Sequence, residues 1–74
     1  MKAAILSLCI LSGVVDSKED NIVTIEVSSP VEGVEPDYVV VDSRSLRSKI
    51  QEGEEINLRI LVDHSMLQYC HNPL

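Results

Sequence analysis

Apolar and polar residues alternate with a period of two in two stretches of this chain, which predicts strands that lay one face on a core. In the first, Ile56, Leu58, Ile60 and Val62 alternate with Asn57, Arg59, Leu61 and Asp63. Leu61 interrupts the polar set, so the second face of this strand is expected to be half covered. Glu52-Gly53-Glu54 supplies a turn before the strand and Asp63-His64-Ser65 a polar turn after it. Met66, Leu67 and Tyr69 then resume an apolar run that reads as a hairpin partner. In the second stretch, Val23, Ile25 and Val27 face one way and Ile22, Thr24 and Glu26 the other. Ser28-Ser29-Pro30 ends it, because proline cannot donate to a ladder.

Between these two, a loop holding Gly33 and Pro36 leads into Tyr38-Val39-Val40-Val41. That run is apolar at every position, the pattern of a strand covered from two sides. Lys49-Ile50-Gln51 predicts a short strand before the turn at Gly53, and residues around Leu46 a single helical turn. Nothing sustains a period of 3.6. The fold class expected is all-β: a partial β-sandwich or a small antiparallel sheet of about three to five strands.

Residues 1–17 have two readings. Lys2, the apolar run Ala3 to Leu11 and Val15-Asp16-Ser17 before Lys18 have the shape of a secretory signal peptide, leaving residues 18–74 as the module. Otherwise Ile5 to Leu11 is the first buried strand. The run is too short for a membrane span, which needs roughly 20 residues. An imperfect lipobox at Leu6-Ser7-Leu8-Cys9 lacks the small residue before the cysteine.

Seventy-four residues allow one small domain, and a chain of this size buries only roughly 60% of its unfolded surface. The core must be aliphatic, since there is no Trp or Phe and only Tyr38 and Tyr69 are aromatic. Such a chain is expected to self-associate or to need a partner domain. A net charge of −6 argues against binding a phosphate backbone. Cys9 and Cys70 are the two thiols; one disulfide closing a long loop follows if both survive, and an unpaired Cys70 if the N-terminus is removed. Asn21, Asn57 and Asn72 head no glycosylation sequon.

Leu58-Arg59-Ile60-Leu61-Val62-Asp63-His64-Ser65, followed by Met66-Leu67 and Gln68, resembles a strand-turn-strand of glycoside hydrolase family 32. That family holds the plant invertases and fructosyltransferases, and the similar segment lies in their C-terminal β-sandwich. Asp42-Ser43-Arg44-Ser45-Leu46 is similar to the Asp-x-x-Arg-Ser-Ser loop of the same domain. Gly33 and Tyr38 to Val41 match its preceding turn and strand. The resemblance covers Gly33 to Gln68. Most invertases carry Glu where Gln68 stands; several fructosyltransferases carry Gln. None of the family's catalytic motifs, Asn-Asp-Pro-Asn, Arg-Asp-Pro or Glu-Cys, is present. The resemblance therefore implies a fragment of an accessory domain that packs against a catalytic propeller this chain lacks, with no catalysis and no cofactor of its own. Its compartment would be secreted or vacuolar if the signal peptide is real. The alternative is a small secreted acidic protein that binds another protein through an exposed strand edge.

Candidate chemistry is sparse. Asp63-His64-Ser65 names a hydrolase triad, but triads are assembled in space and neighbours on a strand point apart; a polar turn is the expected role. His64, Cys70 and His71 with Glu54 or Glu55 lack the paired spacing of a zinc site. Cys70 and His71 as nucleophile and base lack an orienting group. Glu54 and Glu55 as consecutive residues splay apart and cannot flank a glycosidic bond. No catalytic or metal-ligating residue is assigned. Arg44 and Arg47, beside Lys49, form a basic patch able to grip a carboxylate. These two arginines, together with Asp63 and His64, are the candidate contacts to another domain.

Overall fold

β1 (Ser7–Glu19) is the longest strand and the centre of the fold in the computed structural model, which describes residues 5–46 and 49–72. β2 (Ile22–Ser28), β3 (Asp37–Asp42) and β4 (Glu55–Val62) complete one antiparallel sheet in the order β3-β2-β1-β4. Three strands follow one another by turns, and the fourth returns by a long connection to lie beside the first. That is a Greek key. The all-β expectation holds, with four strands in a single layer. Residues 7–17, the part of the apolar N-terminus that falls within the described residues from Ser7 on, supply most of β1.

Local chemistry explains the turns. Asp20 sits at positive φ in the two-residue link between β1 and β2, a conformation Asp tolerates because its side chain is short and polar. Gly53 takes the left-handed position of the Gln51–Glu54 turn, closed by Glu54 N–H donating to Gln51 O at 3.2 Å. β1 reaches its length because both its edges are used in sections. β4 pairs with Ser7 to Val14, β2 pairs with Ser12 to Glu19, and a register shift between Val15 and Ser17 leaves Asp16 as a bulge. The edge β2 leaves open is closed by the C-terminal segment. His71 N–H donates to Ile10 O at 2.7 Å, Ile10 N–H donates to Asn72 Oδ1 at 2.6 Å, and the Asn72 amide donates to Leu8 O at 2.8 Å.

One face of the sheet carries the core. Cys9, Leu11 and Val15 from β1, Val23, Ile25 and Val27 from β2, and Leu58 and Val62 from β4 are buried there. Fully burying each aliphatic side chain contributes about 1.5–3 kcal/mol. Ile50 from the β3–β4 connection and Tyr69 cover this face, and Tyr69 donates its hydroxyl to Glu35 O at 3.0 Å. The disulfide Cys9–Cys70 pins that cover to the middle of the sheet.

Gly13 belongs to the same face, between Ile56 and Val27. A Cβ there would stand 2.4 Å from Glu26 O and 2.8 Å from Ile25 Cγ2. Only glycine lets β2 lie this close to β1.

Four sequence expectations require correction. Met66 to Tyr69 is no hairpin strand: His64–Tyr69 forms a 3₁₀ helix, started by the Asp63 carboxylate accepting from Ser65 N–H at 3.0 Å. The helix turns Tyr69 onto the core and brings Cys70 to Cys9, which a strand continuing the sheet would not do. Tyr38 to Val41 is not covered from two sides. β3 is an edge strand, Val39 and Val41 are half-buried, and Tyr38 and Val40 stand in solvent. Leu61 is 61% exposed, so the second face of β4 is open. Lys49 to Gln51 forms no strand, although Ile50 is buried beneath the sheet. The helical turn expected near Leu46 is present as a 3₁₀ turn at Ser43–Ser45.

Candidate functional site

The three candidate contact residues that the structure describes, Arg44, Asp63 and His64, do not converge. Arg44 follows β3, capping the end of the sheet where Ile22 pairs with Asp42. Its guanidinium grips Asp42, Nη2 to Oδ2 at 2.6 Å and Nε to Oδ1 at 3.0 Å, while Arg44 N–H also donates to Oδ1 at 2.9 Å. These contacts hold the Asp42 carboxyl down at about 2 and push the Arg44 guanidinium up. The fork expected to meet another domain is thus closed on its own neighbour. Arg47 lies outside the described residues. Asp63 and His64 follow β4 at the opposite end of β1, where Val62 pairs with Ser7. Asp63 accepts from Ser65 Oγ and N–H, and these two bonds lower its carboxyl, with His64 adding a smaller charge effect. Asp63 is a cap, as a polar turn requires, and His64 projects into solvent.

His71 and Cys70, weighed as exposed ligands, have structural roles. His71 Nε2 donates to Ser28 O at 2.9 Å, and Cys70 is in the disulfide. Among the described residues no group of three or more His, Cys, Asp or Glu side chains could hold a metal ion, and no helix there is long and apolar enough to cross a membrane.

The feature that does bring chemistry together is the free edge of β4. Val15 N–H donates to Glu54 O at 2.9 Å, which sets the phase of the β1–β4 ladder. Because inward and outward main-chain groups alternate along an antiparallel strand, Ile56, Leu58, Ile60 and Val62 face β1. Glu55, Asn57, Arg59 and Leu61 then direct their N–H and C=O groups off the sheet. No strand pairs with that edge among the described residues. Directly beneath it lies a cleft of about 770 Å³, between β4 and the β3–β4 connection. Its apolar wall includes Ile56, Ile60, Leu46 and Ile50.

β3, the other edge, is better blunted. Tyr38 N–H is taken by the Asp37 carboxylate at 2.8 Å, and Asp42 O accepts from Ser45 Oγ at 2.7 Å. On the open sheet face, Tyr38 donates its hydroxyl to Glu26 Oε2 at 3.1 Å. That bond and the charges of Glu26 and Asp16 raise the tyrosine's pKa.

Period-two reading found the strand but not the edge, since which neighbour a strand has is a matter of topology. No protein-family model, curated protein or solved structure matches this chain.

Proposed function

We propose that this protein is a non-catalytic, disulfide-closed β module that binds another polypeptide by strand addition along β4. The observation that supports this reading is the pairing of an unpaired edge with an apolar cleft beneath it. Strand addition uses main-chain hydrogen bonds for affinity and pockets for alternate side chains for selectivity. An extended segment paired to Glu55, Asn57, Arg59 and Leu61 would send every second side chain into the cleft. The disulfide and the C-terminal segment support the same reading, because they hold β1 and so keep β4 presented. Secretion fits a module that depends on a disulfide.

A library of displayed random peptides selected against the oxidised protein tests this. Selected peptides should protect the Asn57, Arg59 and Leu61 amides from exchange. Asn57→Pro removes only an outward N–H, so it should abolish binding and leave the fold intact. Peptides that bind equally well to that variant would overturn the reading.

A second reading is favoured by the uncovered sheet face, where Leu8, Val14, Val40 and Leu61 are exposed. A single layer with an apolar second face suits the accessory sandwich of a family 32 glycoside hydrolase, packed on its propeller. Protection of Leu8, Val14 and Val40, with β4 amides unchanged, on adding such a propeller domain would favour it.

A further inference from the structure

Resting on the strand-addition reading, we infer that the polypeptide added to β4 is β4 of a second copy of this chain, antiparallel and centred on Asn57. The ladder phase restricts the choice. Outward-directed residues must meet outward-directed residues, so only Glu55, Asn57, Arg59 and Leu61 can form the hydrogen-bonded pairs. A twofold axis through Arg59 would set Arg59 against Arg59, and one through Glu55 would set Glu55 against Glu55. An axis between Asn57 and Arg59 pairs Glu55 with Leu61 and gains nothing from either charge. With the axis at Asn57, Glu55 lies opposite Arg59 of the second copy, and Arg59 opposite its Glu55.

Both charges are available for this role. Glu55 and Arg59 are exposed, on the same open sheet face, and neither has an ion-pair partner within its own chain among the described residues. The same register matches the other face. Ile56 falls opposite Leu58 of the second copy, so apolar side chains meet beside the two clefts. Opposite-charge and aliphatic cross-strand pairs are the units that stabilise a sheet. A self-complementary strand on a twofold axis makes a closed contact, in which the same patch serves both subunits. The two sheets become one, and both β4 edges are removed from solvent.

Sedimentation of the oxidised protein at 0.15 M salt tests this through charge reversal. Wild type should dimerise, whereas Glu55→Arg and Arg59→Glu should each weaken the dimer by about tenfold or more, since each places two like-charge pairs across the axis. An equimolar mixture of the two variants should regain a dimer, now heterologous in sequence, because every pair is again opposite in sign. Asn57→Pro should be monomeric with an unchanged circular dichroism spectrum. A dimer indifferent to all three substitutions would overturn the inference, as would a mixture no tighter than its components. A wild-type chain that stays monomeric at the highest soluble concentration would also overturn it. Strand addition itself would in that case still stand or fall by the peptide selection.

Discussion

Cys9 and Cys70 are 61 residues apart in sequence, yet their Cα atoms lie 5.2 Å apart across the buried face of the sheet. One is a wholly buried residue of the central strand; the other follows the 3₁₀ helix that covers the core. The bond therefore fastens lid to sheet. It also makes the N-terminal stretch and the C-terminal segment mutually dependent, since β1 supplies one cysteine and the main-chain partners of His71 and Asn72.

Removing that bond should be costly. Closing a loop of this length is worth about 4 kcal/mol in chain entropy, against the roughly 5–15 kcal/mol that whole domains possess. Cys9→Ala with Cys70→Ala should lower the urea midpoint by an amount equivalent to about 2–4 kcal/mol. An unchanged midpoint would mean that the C-terminal segment holds without its tether.

Within β4, depth should set the cost of truncation. Leu58 is buried at 5% exposure, so Leu58→Ala should cost about 2–5 kcal/mol. Ile60, which alternation marks as a central core position, is only half-buried because it borders the cleft. Ile60→Ala should fall below the Leu58 value. Exposed Arg59→Ala should stay within about 0.5 kcal/mol. Chemical denaturation of the three variants checks the order, and an Arg59 effect as large as that of Leu58 would contradict the assigned faces.

At Gly13 the smallest addition should already be felt. A methyl group cannot share space with Glu26 O at 2.4 Å, so β1 and β2 must part. Gly13→Ala is expected to cost about 1–3 kcal/mol by overpacking, although alanine usually gains over glycine within a strand. The variant should also lose exchange protection first at the Val14 and Glu26 amides, whose ladder bonds join β1 to β2 beside the site.

Asp42 gives a pH signature. Its carboxyl titrates at about 2 in the folded chain instead of 3.8, first through the Arg44 side-chain hydrogen bond and then through Arg44 N–H. A lowered folded-state value means the contribution to stability is complete above the ordinary carboxylate range and is lost as pH falls from about 4 through 2. Arg44→Met should move the Asp42 carbon resonance midpoint upward, part of the way only, because the N–H remains. A midpoint that does not move would show that the guanidinium is not its main partner.

Sequence alone determined β2 and β4 and which of their faces go inward. Val23, Ile25 and Val27 are buried, as alternation in a half-covered strand demands, and the Asp63 turn follows from a carboxylate within reach of the next N–H groups. These are local properties, written in spacings of two residues. Neighbours in space are not so written. That β3 and β4 lie at opposite edges depends on β4 returning beside β1, and Val40 and Leu61 stand in solvent because no second layer covers their face among the described residues. Met66 to Tyr69 turns into a 3₁₀ helix, not a strand, because Tyr69 and Cys70 gain more by closing the core against Glu35 and Cys9 than by extending the sheet. The free edge of β4 and its cleft arise only once that topology is set, since an edge is defined by the strand that is not there.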